Sequence, residues 1–253
     1  MRCNADRLIE GLITAQLKEL QSIYAATKKR TRRHQDNPNP VVVTVSRSFG
    51  AMGKEIALQL ADKLEVRCCD HFILQEVARR ANVDESLVKV LDDHISVISD
   101  RESNHDEHWW KRLLNRQSFS YEDYYEYLAK TVLSISLHGG VIIGRGAHLI
   151  LGPEKAFRVR ITGTPEKCAE RVAERDGISL EQATEQVHRI SNERAKYIQK
   201  LYHADINEPW SYDLVLNTDR FNRRQTVELI LGGLRRAGYK LPEGAIESIA
   251  IGA

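Results

Sequence analysis

Residues 41–64, VVVTVSRSFGAMGKEIALQLADKL, run from β-branched residues through a turn carrying Gly50, Gly53 and Lys54 into a helical pattern. Strand, glycine turn and helix in that order suit an anion. Backbone N–H groups at the turn and the helix N-terminus converge on it, and a lysine adds mobile charge. Against the pattern GxxxxGK[ST], Ser48 stands at the first glycine and Glu55 at the closing hydroxyl. Ser48, Gly50, Ala51, Met52, Gly53, Lys54 and Glu55 are the candidate phosphate-binding residues, and the rest of the chain must decide the reading.

Downstream, apolar runs over 41–45, 65–69, 140–144, 157–161 and 213–217 alternate with helical patterns, among them 53–64, 71–81, 165–175 and 223–237. Five β runs separated by helices predict an α/β fold with a five-stranded parallel sheet covered by helices on both faces. Ile56, Leu60 and Leu64 give the first helix an apolar face for that sheet. Thr164 before Pro165 reads as an N-cap, and Ser179 with Gln182 as a capping box. Residues 82–138 break the alternation as a helical insertion, in which Tyr124, Tyr125, Leu128, Val132 and Ile135 share a face read as buried. Ligands of such sheets bind beyond the C-terminal strand ends, so the insertion is where an acceptor pocket can be built.

The chain has 253 residues, enough for one large α/β domain with an insertion. With 42% hydrophobic residues, 28% charged residues and a formal net charge of +2, it has no general affinity for polyanions, and any basic function must be local. No apolar run approaches the roughly 20 residues of a membrane helix, nor is there a signal-peptide core, so a cytoplasmic protein without membrane association is expected. Cys3, Cys68, Cys69 and Cys168 lack CxxC spacing and read as reduced thiols. His94, His105 and His108 lie in one polar stretch without an i, i+4 pair and read as solvated.

Residues 4–27 read as a loosely amphipathic helix, followed by the basic run KKRTRRHQDNPNP, so that 1–40 form an appendage. A short basic arm gives only salt-sensitive, unspecific affinity for nucleic acid, which is not an expected partner. A protein partner or a second copy meeting the N-terminal helix is the alternative.

Phosphoryl transfer needs positive charge gathered from several loops rather than covalent help. Arg47 precedes the glycine turn, Lys54 ends it, and Arg145 sits in GRG after the third strand. Arg171 and Arg175 share one helix face, and Arg189 and Arg194 follow on the next helix, each with nearby glutamates that offer plain surface pairing. Asp70, ending the second strand, suits either a substrate contact or a cap on the helix beginning at His71.

These segments, with VIIGRGAHLIL, FRVRITGTPEKCAERV, the Arg189–Tyr197 stretch and YDLVLNTDRFNRRQTVELI, resemble the cytidylate kinase-like family of P-loop proteins over about residues 40–235. The resemblance implies a P-loop NTPase fold with 41–237 as the kinase-like domain, 82–138 as acceptor-binding insertion, a lid over about 176–210 and a tail at 238–253. It implies transfer of the γ-phosphate of ATP, with Mg²⁺, to a nucleoside monophosphate such as CMP or dCMP. Gly50, Gly53 and Lys54 would hold the donor phosphates; Arg145 matches the arginine of a GRD motif that grips the acceptor; Arg189 and Arg194 correspond to lid arginines. Lys54, Arg145, Arg189 and Arg194 are thus the catalytic candidates, with Arg47, Asp70 and Arg145 for the substrate and no residue assigned to a metal.

Three departures stand out: Glu55 for the loop hydroxyl, Gly146 for the aspartate of GRD, and a turn one residue longer than GxGK. They leave open a nucleotide-binding regulatory protein with little catalysis, and a kinase for another small acceptor.

Overall fold

The structure, a computed structural model, describes residues 40–95 and 119–245. The expectations for the N-terminal helix and basic arm, Cys3, His105, His108 and the end of the tail lie outside the described residues.

Strands β1 (Val42–Arg47), β2 (Cys68–Cys69), β3 (Gly140–Ile143), β4 (Phe157–Thr162) and β5 (Leu214–Asn217) form one sheet in the order β2-β3-β1-β4-β5. Every pairing is parallel, with Val43 opposite Val141 and Phe157 at the centre. This is the five-stranded parallel sheet that the alternating pattern predicts. Alternation within the strands sorts the two faces. Val43, Val45, Val141, Ile143, Val159 and Ile161 turn to one side, where they pack with Ile56 and Leu60 of α1 (Gly53–Lys63).

Val172 of the helix Pro165–Asp176 and Ile230 and Leu234 of the helix Arg223–Arg236 close the same core. On the other side lie Val42, Thr44, Ser46 and Ile142, all buried, so both faces are covered as expected. The second strand is shorter than the apolar run 65–69. Glu65 takes a positive φ of 56° and Val66 donates to the Ala61 carbonyl, so these residues close the end of α1 before the chain can join the sheet.

Between β2 and β3 lie α2 (Phe72–Ala81) and, in the described part of the insertion, α3 (Glu85–His94) and α4 (Tyr121–Ser136). Helix α4 starts with a capping box of Ser120 and Asp123 and buries Tyr124, Tyr125, Leu128 and Val132, with Ile135 half-buried beside them. After β3 come α5 (Ala147–Leu151), then β4, α6 (Pro165–Asp176), α7 (Leu180–Tyr202), β5 and α8 (Arg223–Arg236). The Thr164 cap with Pro165 and the Ser179–Gln182 box both form as the sequence pattern implies. Local signals of this kind survive because their partners are three residues apart.

Candidate active site

The turn after β1 is held from below, Ser48 N–H donating to the Ile161 carbonyl at 2.9 Å and Ser48 Oγ meeting Thr162 Oγ1 at 3.3 Å. Met52, the N-cap of α1, is left-handed (φ 57°) and offers no side-chain acceptor, so the first-turn amides of Gly53, Lys54 and Glu55 point out without a cap. An anion is the natural partner for such a helix start.

A cavity of about 960 Å³ lies against this turn, lined by Ser48, Gly50, Met52, Gly53, Lys54 and Glu55. Ala51 is fully buried beneath it. Across the cavity stand Arg171, Arg175 and Arg223, while Phe49 lies under the guanidinium groups of Arg175 and Arg194 at 5.4 and 5.7 Å from its ring centre. Lys54 is exposed to the cavity, and the Glu55 charge acts across it on Arg175.

A second cavity of about 520 Å³ adjoins the first, bounded by Asp92 and Asp93 of α3, the 144–146 loop, His148, and Arg189, Arg194 and Tyr197 of α7. Arg47 and Arg194 line both cavities. Neither has a carboxylate in ion-pair reach among the described residues, though Arg194 Nη1 donates to the Arg47 carbonyl at 3.1 Å. Burial pulls Arg47 down to about 10, against the raising charge of Asp70 and with smaller lowering by Arg145 and Arg160; burial and then the charges of Arg47 and Arg160 pull Arg194 to about 9. Arg160 of β4 stands behind them, buried, its guanidinium donating to Ser46 Oγ at 3.0 Å and Asn207 Oδ1 at 3.2 Å.

Arg145 is differently placed. Its Nη1 meets the Asp70 carbonyl and Oδ1 at 3.1 and 3.4 Å, and its Nη2 meets Asp92 Oδ2 at 3.2 Å. The charges of Asp92 and then the buried tyrosines and Asp70 outweigh desolvation and raise its pKa further. Asp70 therefore turns to Arg145 and does not cap α2, whose N-cap His71 makes no side-chain bond. Arg145 itself sits at φ 50°, and the Tyr202 hydroxyl donates to its carbonyl at 2.6 Å. The Tyr202 ring occupies the space a Cβ on Gly146 would need. An aspartate of a GRD motif has no room here.

The remaining sequence candidates are spread around the rim. Arg189 is exposed and paired with Glu193 at 2.8 Å. Arg175 pairs with Asp176 rather than Glu174, and Arg171 reaches across to the Thr218 carbonyl at 2.7 Å with Asp219 close by. Neither uses the glutamate on its own helix, because the last turn of α6 and the 218–219 loop offer carboxylates and carbonyls nearer to the guanidinium.

A family model described as the cytidylate kinase-like family matches residues 42–220. The chain belongs to the cytidylate kinase-like family. A cytidylate kinase from Ignicoccus hospitalis is 36% identical over 106 residues, 40% of this chain and 59% of that one. One from Aeropyrum pernix is 28% identical over 113 residues, 43% of this chain and 64% of that one. The matched stretches thus span less than two thirds of either relative. An uncharacterized protein from Eubacterium ventriosum superposes with a TM-score of 0.55 at 15% identity, over 77% of this chain and 98% of that one, which shows a shared fold.

In this cytidylate kinase-like chain, no motif singles out Arg160, Asp92, His148, Tyr197 or Tyr202, and Tyr124 is legible in the sequence only as part of a buried face. Arg160 carried a readable signal: arginines alternating with Val159 and Ile161 inside an apolar strand put two cations on one buried face. Asp92 carried none, since a carboxylate on an amphipathic helix looks solvated until Arg145 and the Tyr124 hydroxyl, at 2.5 Å, are seen to meet it.

Proposed function

We propose that the protein transfers the terminal phosphoryl group of ATP to a nucleoside monophosphate, with CMP or dCMP as the first candidates. The observation that carries this reading is the pair of adjacent cavities at the C-terminal strand ends, sharing a wall of Arg47 and Arg194, neither of which forms an ion pair among the described residues. The glycine turn, the uncapped amides of α1 and Lys54 are suited to the donor phosphates. Arg47 lies between the two cavities, Arg194 would hold the acceptor phosphate, and Arg145, tied to Asp70 and Asp92, would shape the acceptor side.

The family implies ATP with Mg²⁺. Among the described residues no cluster of three potential ligands forms, which fits a Mg²⁺ ion taken up with nucleotide phosphates, waters and one carboxylate. Glu55, lining the donor cavity in the first turn of α1, is the residue suited to that place, and Mg²⁺ there would neutralise charge on the donor phosphates.

Purified protein with ATP, Mg²⁺ and a panel of nucleoside monophosphates should form a diphosphate product, and Lys54→Ala should abolish it. If no monophosphate accelerates ATP turnover, the nucleotide kinase reading fails. Glu55 in place of the loop hydroxyl favours a second reading, a nucleotide-binding regulatory protein with little catalysis, its partner bound through residues 1–40. Tight nucleotide binding without turnover, and loss of a partner on deleting that arm, would support it.

A further inference from the structure

Arg47 is set between the two cavities by contacts that a phosphate loop does not require. Its stem crosses the first residue of α1, where a Cβ on Gly53 would stand 2.5 Å from Arg47 Cβ and 2.7 Å from its Cγ. Its guanidinium rests on Gly144, at φ +71°, where a Cβ would overlap Nη1. Two glycines from separate loops leave room for one side chain. The carboxylates that act on it, Asp70 and Asp92, are bonded to Arg145, while the charges of Arg145 and Arg160 oppose it. A cation held this firmly, with its protein counter-charge committed elsewhere, is available to a ligand reaching it from either side.

We infer that Arg47 binds the phosphoryl group in transit, touching donor and acceptor oxygens together in the transition state. The inference rests on reading the site as a two-substrate phosphotransferase. In the step, the bond from the terminal phosphorus to its bridging oxygen breaks and the electron pair leaves with the nucleoside diphosphate. An oxygen of the acceptor phosphate dianion forms the new P–O bond, and no proton is released from it. Charge therefore builds on the bridging and equatorial oxygens, between the cavities, where a preorganised guanidinium stabilises the transition state more than either bound substrate. A lid arginine depends on closure for its place. Arg47 belongs to β1 and is in place beforehand.

The test uses the full chain with Arg47→Met and Arg47→Lys, each checked by circular dichroism for a native fold. Turnover is measured with ATP and the monophosphate the panel selects. Calorimetry measures affinity for ADP, for that monophosphate, or CMP if none is turned over, and for adenosine and cytidine joined through five phosphates. The expected result is a kcat lower by about 10²–10³-fold in Arg47→Met, with KM and single-nucleotide affinities changed by less than about 5-fold. The joined probe should lose more affinity than the two separate losses combined, and lysine should restore part of the rate. A loss confined to KM for one substrate overturns the inference while the kinase reading stands. If the wild type turns over no monophosphate, the kinase reading fails and the probe alone decides: a loss exceeding the separate ones sustains the bridging role, and any smaller loss, or no binding of the probe, overturns it. Should Arg47→Met fail to fold, Gly144→Ala, which displaces the guanidinium without removing it, must give the same kcat loss.

Discussion

At the residue scale, the GRG loop shows how a departure from a motif can be a packing solution. Gly146 stands where GRD has an acid, and the Tyr202 ring fills the space that acid would need. Gly146→Asp should therefore destabilise the protein by about 3 kcal/mol, since it adds a strained positive φ to a clash with the packed Tyr202 ring. Denaturant unfolding of the single variant and of Gly146→Asp with Tyr202→Ala checks this, because the second change should recover part of the loss. His148 makes a different prediction. Burial, with the charges of Arg160 and Arg158, pulls its pKa to about 3, and the ring stacks on Tyr212 at 4.8 Å. The unfolded chain binds a proton near pH 6.5 that the folded chain refuses until about pH 3, so stability is full above pH 6.5 and falls as the pH drops through that window. Between pH 7 and 5 the loss is about 2 kcal/mol, and it should vanish in His148→Phe, as read from melting curves at both pH values. Arg145 could be picked out in the sequence because glycines flank it at a strand end; Asp70 and Asp92, which hold it, lie 75 and 53 residues away.

At the element scale, α7 joins two kinds of stabilisation. Its start rests on the Ser179–Gln182 box, a local bond pair, whereas its C-terminal half is tied to the insertion. Tyr197 meets the Tyr124 hydroxyl at 3.0 Å, Tyr124 donates to Asp92, and Tyr202 bonds the Arg145 carbonyl. Ser179→Ala should cost about 1 kcal/mol. Tyr124→Phe should cost about 1–3 kcal/mol, because it strips the buried Tyr197 hydroxyl and the half-buried Asp92 carboxylate of a partner. Urea titration of the two variants and the double mutant checks both, and the effects should add, since the bonds lie at opposite ends of the helix. The capping box was legible because it spans three residues; the tyrosine chain was not, because the α4 stripe shows only that those rings are buried and leaves the partners of their hydroxyls open.

At the scale of the whole molecule, a formal net charge of +2 conceals a concentrated field. Arg47, Arg145, Arg160 and Arg194 converge on one site, where Asp70 and Asp92 act on Arg47 and Arg145. The folded pKa values of Arg47 and Arg194, about 10 and 9, lie below their ordinary value of 12.5, so the cost of holding them charged is fully present at all pH values below about 9. Arg47→Met should then raise the stability of the ligand-free protein by on the order of 2 kcal/mol at pH 7. Pyrophosphate should stabilise the wild type in calorimetric melts and stabilise Arg47→Met less. A ligand-free variant no more stable than the wild type would contradict this account of the site.

The sequence by itself determined the α/β class, the five parallel strands, the glycine turn, the buried stripe of α4 and the helix starts, since each depends on periodicity or on neighbours a few residues apart. The strand order followed only from tertiary structure, as did the sharing of Arg47 and Arg194 by two cavities, the commitment of Arg145 to Asp70 and Asp92, and the replacement of an acid at Gly146 by the Tyr202 ring. Whether a charged side chain is solvated, paired or left facing an empty cavity depends on groups that folding alone brings within a few ångströms, and no spacing along the chain records that distance.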